Sequence, residues 1–119
     1  MTVRTRVFLI VSVMVFCALF SAACISTTFG EVTYHNGEIT LPISHDSVPS
    51  EGYIQVTVYR ITNNQQEETG TFFAPINLQQ GGNTALIPAP LESGQYKLYF
   101  YLIQNDERKA ATIRDLTVN

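Results

Sequence analysis

Gln95-Tyr96-Lys97-Leu98-Tyr99-Phe100-Tyr101-Leu102-Ile103-Gln104 is the stretch that decides the fold class. Tyr96, Leu98, Phe100 and Leu102 share one parity, and Lys97, Tyr99, Tyr101 and Ile103 share the other. Successive side chains of a strand point to opposite faces, so a period of two reads as a half-buried strand. The residues are also mainly aromatic or aliphatic, a composition that suits a pleated surface. The same alternation recurs upstream. Ile39, Leu41 and Ile43 interleave with Thr40, Pro42 and Ser44, while Ile54, Val56 and Val58 interleave with Gln55, Thr57 and Tyr59. No window after Gly30 carries a helical period, which makes this part of the chain all-β.

Turn formers punctuate the pattern at short intervals, among them Asn36-Gly37, Asn63-Asn64, Gly81-Gly82 and Asn105-Asp106. Regularly spaced short strands indicate an antiparallel sandwich or barrel. Seven strands are expected, over residues 31–34, 38–44, 53–62, 70–74, 84–87, 95–104 and 110–118. Pro42 cannot donate to a ladder, so its strand should lie at an edge, be bulged or break there.

Between the fifth and sixth of these strands stands Leu91-Glu92-Ser93-Gly94-Gln95-Tyr96-Lys97-Leu98. It resembles the E–F corner of immunoglobulin-like domains, with Leu98 in place of the usual inward cysteine. The resemblance implies an immunoglobulin-like sandwich in which Gly94 and Tyr96 form the structural corner and the Tyr96 hydroxyl returns to nearby backbone. It implies nothing about activity, since this architecture hosts unrelated functions.

The chain has 119 residues, 45% hydrophobic and 14% charged, enough for one small domain. A net charge of −3 and a pI near 5.2 exclude a nucleic-acid binder, which needs a basic face. Much of the apolar content lies at the N-terminus, where Arg4 and Arg6 precede an uncharged run from Val7 to Ala23. A basic start, an apolar middle and small residues at the end make a secretory signal or anchor helix.

The run ends in Ser21-Ala22-Ala23-Cys24, which resembles the lipobox of bacterial lipoproteins, departing from its commonest form at Ser21. The resemblance implies cleavage before Cys24 and acylation of its thiol. The organisation expected is a lipoprotein signal peptide at 1–23, a Ser/Thr-rich tether at 24–30 and the sandwich at 31–119. The alternatives are ordinary cleavage that leaves Cys24 free and retention of the run as an anchor, since it reaches the lower limit for a bilayer span. Cys17 lies within the run, so the mature chain would hold one cysteine and no disulfide. It would also hold all ten acids and only five of the seven bases, a formal charge of −5. Membrane contact then comes from acyl chains on Cys24, on the periplasmic or cell-surface side, and not from a basic patch.

No catalytic constellation emerges, so the protein is expected not to be an enzyme. Ser44-His45-Asp46-Ser47 holds triad residue types, but consecutive extended residues point apart. His35 and His45 lack companions at ligand spacing and read as surface histidines, so no metal or other cofactor is implied. Pro49-Ser50-Glu51-Gly52-Tyr53, with Gly81-Gly82, resembles the first two inhibitory loops of chagasin-type cysteine-protease inhibitors. The third loop, Asn105-Asp106-Glu107-Arg108, lacks that family's Arg-Pro-Trp.

The parities make a different prediction about contact. If the strands at 53–62 and 95–104 share a sheet, Tyr53, Gln55, Thr57, Tyr59 and Ile61 stand beside Lys97, Tyr99, Tyr101 and Ile103. Four of six tyrosines would share one outer face with a single charge. Tyr53, Tyr59, Tyr99, Tyr101 and Ile103 are the candidate contact residues, for a protein partner or self-association, because interface centres are rich in tyrosine and poor in charge.

Overall fold

The computed structural model describes residues 26–119. The expected signal segment 1–23 and Cys24 lie outside them. Eight strands run in chain order: β1 (Thr27–Phe29), β2 (Thr33–His35), β3 (Glu38–His45), β4 (Ser50–Thr62), β5 (Gln65–Leu78), β6 (Gly81–Pro88), β7 (Gly94–Gln104) and β8 (Glu107–Val118). They form two antiparallel sheets. In the first, β3 pairs with β6 on one side and with β2 and then β1 on the other. The second has the order β5-β4-β7-β8. The fold is an all-β, two-sheet sandwich.

The expected parities are the ones that bury. Ile39, Leu41 and Ile43 from β3 meet Ile54, Val56 and Val58 from β4 and Leu98, Phe100 and Leu102 from β7, all at 1% exposure or less. Ala85 and Ile87 of β6 and Ala74, Ile76 and Leu78 of β5 complete the layer. Each fully buried large side chain of this kind contributes about 1.5–3 kcal/mol through apolar area removed from water.

Three of the connections are two-residue hairpins with left-handed backbone at both positions: Asn36-Gly37, Asn63-Asn64 and Asn105-Asp106, whose φ values lie between 51° and 78°. Such turns match the right-handed twist of the strands, and Asn, Asp and Gly tolerate the conformation best. The chain changes sheets at Gln79-Gln80. There the Asn83 side chain clamps the crossing, accepting from Gln79 N and donating to Gln79 O, both at 2.8 Å.

Two expectations need correction here. Residues 24–30 do not form a loose tether throughout, because Thr27–Phe29 pair with Ile43–His45 as β1 and Phe29 packs on the core. The strand count is therefore eight and not seven. Pro42 lies in the central strand of its sheet, neither bulged nor broken. Its carbonyl accepts from Gly30 N at 2.8 Å, on the side where the ladder passes from β1 to β2. The nitrogen of an antiparallel residue points to the same side as its carbonyl. The missing donor of Pro42 thus faces a gap in which no ladder bond is due.

Candidate functional site

The outer face of the β5-β4-β7-β8 sheet is built in rows by its register. Tyr53 stands opposite Pro75 and Ile103, Gln55 opposite Phe73 and Tyr101, Thr57 opposite Thr71 and Tyr99, and Tyr59 opposite Glu68 and Lys97. Beyond β7, Tyr99 faces Ile113, Tyr101 faces Ala111 and Lys97 faces Asp115. The sandwich therefore brings Tyr53, Tyr59, Tyr99 and Tyr101 onto one face.

Their rings lean on one another and on neighbours. Tyr59 and Tyr99 meet edge to face with centroids 5.2 Å apart, and Tyr53 tilts against Phe73 at 5.9 Å. The Arg108 guanidinium lies 4.1 Å from the Tyr101 ring centroid, in cation–π range. These contacts leave the four tyrosines partly buried. Phe73 and Ile113, on the flanking strands, are the more open apolar groups at 56% and 53% exposure. Sequence parity missed both, since the pairing of β5 and β8 with this face is a tertiary fact.

Ile103 does not belong among the exposed contacts. It is only 7% exposed, opposite Tyr53 and Arg108, at a register shift where β8 carries the extra residue Lys109. Lys97 is the single charge among the outward residues of 53–61 and 97–103, while Glu51 at the start of β4 shares their parity and adds a second. The flanking strands add Arg108, Glu68 and Asp115, with Asp115 3.9 Å from Lys97. A shallow depression of about 450 Å³ lies at the lower margin, lined by Gln66, Gln95, Lys97 and Asp115 among others.

The outer face of the other sheet differs. Its outward residues are Glu38, Thr40, Pro42 and Ser44 of β3, Gly82, Thr84, Leu86 and Pro88 of β6, and Thr28, Thr33 and His35 of β1 and β2, with no tyrosine or phenylalanine among them.

The remaining candidate residues lie elsewhere. Tyr96 is 2% exposed, and its hydroxyl donates to the Glu92 carbonyl at 2.7 Å. Gly94, with φ 155°, lies against the Arg60 guanidinium, which donates to the Ser93 carbonyl at 3.1 Å and pairs with Glu92 at 3.3 Å. A second tyrosine acts alike without having been singled out. The Tyr34 hydroxyl donates to Ala89 O at 2.8 Å and accepts from Leu91 N at 2.9 Å.

His45 is not a surface histidine but is buried at 6% exposure. Its Nε2 lies 3.0 Å from the Val48 carbonyl, which can only accept, so that nitrogen carries the proton. Nδ1 lies 3.2 Å from the Thr27 hydroxyl, within hydrogen-bond distance. Ser44 and Asp46 are exposed and take no part, so the triad residue types do not converge. Among the described residues no cluster of three His, Cys, Asp or Glu side chains could hold a metal. Glu107 has its carboxyl held below the usual range by the hydrogen bond and charge of Lys109, 2.8 Å away.

Of the inhibitor-like loop, only Pro49 precedes the strand. Ser50 to Tyr53 are paired with Leu78 to Pro75 as the start of β4. Gly52 has a packing reason, since a Cβ there would stand 2.6 Å from the Ile103 carbonyl oxygen.

An antiparallel sandwich with one tyrosine-rich and one tyrosine-free outer face is thus the class of protein that the geometry defines. No protein-family model matches the chain, and no curated protein matches it. Among solved structures it is similar to part of a "putative beta-galactosidase from bacteroides fragilis", at 15% identity and a TM-score of 0.49. That similarity covers 78% of this chain and 16% of the other.

Proposed function

We propose that this chain is an exported, lipid-anchored immunoglobulin-like module without a catalytic role, which binds a protein partner through the outer face of β5-β4-β7-β8. The observation that carries the reading is the contrast between the two outer faces. One bears Tyr53, Tyr59, Tyr99, Tyr101, Phe73 and Ile113, and the other has no tyrosine or phenylalanine. Interface cores are enriched in tyrosine and depleted of charge, and apolar surface gathered on one face marks contact sites. The immunoglobulin-like assignment is supported by strand order. β3 and β6 share one sheet and β4, β7 and β8 the other, as strands B and E against C, F and G do in that architecture. The Tyr96–Glu92 hydrogen bond supports it too. Anchoring is supported by Ser21-Ala22-Ala23-Cys24 after the apolar run.

The test is photo-crosslinking in living cells, with a benzoylphenylalanine at position 113 and, as control, at Leu86 on the other sheet. A protein adduct at 113, lost in a Tyr59→Ser/Tyr101→Ser double variant and absent at 86, is the expected result. Equal labelling at both positions, or an adduct indifferent to the double variant, overturns it. Intact-mass analysis of membrane-extracted protein tests the anchor, with acylated Cys24 expected and an unmodified N-terminal Cys24 refuting it.

A second reading, a chagasin-like protease inhibitor using Pro49 to Tyr53, draws on one observation. Residues 46–49, 79–82 and 105–106 share one end of the sandwich, since Gly81 pairs with His45 and Tyr53 with Ile103. It requires inhibition of a cysteine protease that Pro49→Asp abolishes. A protein without such inhibition excludes it.

A further inference from the structure

The register fixes which end of the sandwich receives the chain from Cys24. Thr27, His45 and Gly81 lie in one row, and the Ser26 carbonyl accepts from Asp46 N at 2.8 Å. Gln104 Nε2 donates to Ser50 Oγ at 2.8 Å, so the β7–β8 hairpin belongs to the same end. The other end holds Asn36-Gly37, Asn63-Asn64 and the corner at Glu92–Gly94. Since β4 has 13 residues, the two ends are about 40 Å apart.

Only two peptide steps separate Cys24 from Ser26, a reach of at most about 7 Å. The tether that could have let the domain tumble is largely consumed by β1. β1 in turn is held by its ladder to β3, by the Thr27–His45 hydrogen bond and by Arg114, which donates to Phe29 O at 3.0 Å and Gly30 O at 3.1 Å.

We infer that the end formed by residues 46–49, 79–82 and 105–106 sits on the lipid surface, with the strands standing away from the membrane. The inference rests on the anchoring reading above, and holds whether the anchor is acyl chains on Cys24 or the retained run before it. The surface suits the place. Val48, at 75% exposure the most open large apolar residue described, projects beside the Asp46 that binds Ser26, with Pro49 next to it. Gln79, Gln80, Gly81 and Gly82 add uncharged polar and backbone surface. The acids at this end are Asp46, Glu51, Asp106 and Glu107, of which Glu107 is paired with Lys109. The aromatic face then runs perpendicular to the membrane, open to a partner alongside.

The chain contains no tryptophan, so a single introduced one reports a single place. Full-length Val48→Trp, Gln80→Trp and Glu67→Trp proteins, extracted from membranes and reconstituted in phosphatidylcholine vesicles, are titrated with headgroup-spin-labelled phosphatidylcholine. Emission at 48 and 80 should be quenched severalfold more than at 67, which lies beside the far hairpin. All three positions are exposed, and should Val48→Trp fail to fold, Gln80→Trp decides. Vesicle-bound protein with equal quenching at all three, or strongest at 67, overturns the orientation while leaving the anchor standing. Protein that stays in the aqueous phase with an unmodified Cys24 overturns both.

Discussion

Arg114 Nε donates to the carbonyl oxygen of Gly30 at 3.1 Å, joining residues 84 positions apart in the chain. Arg114 has the inward parity of β8 but stands at the rim of its sheet, where a long side chain can cross to the other one. Its second nitrogen holds Phe29 O at 3.0 Å, and Nη1 bonds the Thr112 hydroxyl. One guanidinium thus closes the side of the sandwich at which β8 would otherwise face the β1–β2 link unsupported. Only its planar, multiply donating fork reaches both carbonyls together.

Arg114→Ala should lower unfolding free energy by about 1.5–3 kcal/mol, the range for hydrogen bonds to a charged group. Arg114→Lys should recover only part of it. The local readout is amide hydrogen exchange, where Gly30 N, bonded to Pro42 O, should lose protection before the β4–β7 ladder does. Uniform loss across both would show that Arg114 is not a local strap.

Tyr96 should separate packing from hydrogen bonding. Tyr96→Ala should cost about 3–5 kcal/mol, as for other buried aromatics reduced to alanine. Tyr96→Phe removes only the bond to Glu92 O and should cost about 0.5–1.5 kcal/mol. Denaturant unfolding measures both, and a phenylalanine variant as unstable as the alanine one would contradict this division.

Gly52→Ala places a methyl 2.6 Å from Ile103 O and 2.8 Å from Gln104 Cγ. Backbone on that side cannot give way as a flexible side chain does, so the strain should reach about 1–3 kcal/mol, in the range of overpacking. Gly82→Ala, with open space around it, is the control and should fall within about 0.5 kcal/mol of the parent.

The hairpin at Asn105-Asp106 tests turn chemistry. Both residues are left-handed, at φ 52° and 60°. Asp106→Ala should cost about 1–2 kcal/mol, because a Cβ without a compensating polar side chain is disfavoured there. Asp106→Gly should be neutral or slightly stabilising. Thermal unfolding distinguishes the two, and an alanine variant equal to glycine would mean that the turn relaxes to another type.

The strand parities, turn residues and corner tyrosine were legible in the sequence because each is local. The two-residue hairpins at 63–64 and 105–106 came instead from pairing that begins at Gln65 and Glu107, ahead of the expected strands. Alternation around Leu98 and Phe100 needs no knowledge of the partner strand, since burying one face forces the period of two. Asn63-Asn64 and Asn105-Asp106 likewise advertise their own backbone conformation. The tyrosine face was half legible, as parity named Tyr53, Tyr59, Tyr99 and Tyr101 while pairing alone added Phe73 and Ile113. What tertiary structure decided depends on who lies across the gap. A bulge at Lys109 accompanies the burial of Ile103, β1 encloses His45, and Pro42 sits in a central strand because the ladder changes partner beside it. Arg114 reads as one more surface charge until β1 and β8 are brought together. Periodicity encodes which way a side chain points, and only the packed sheets determine what it meets.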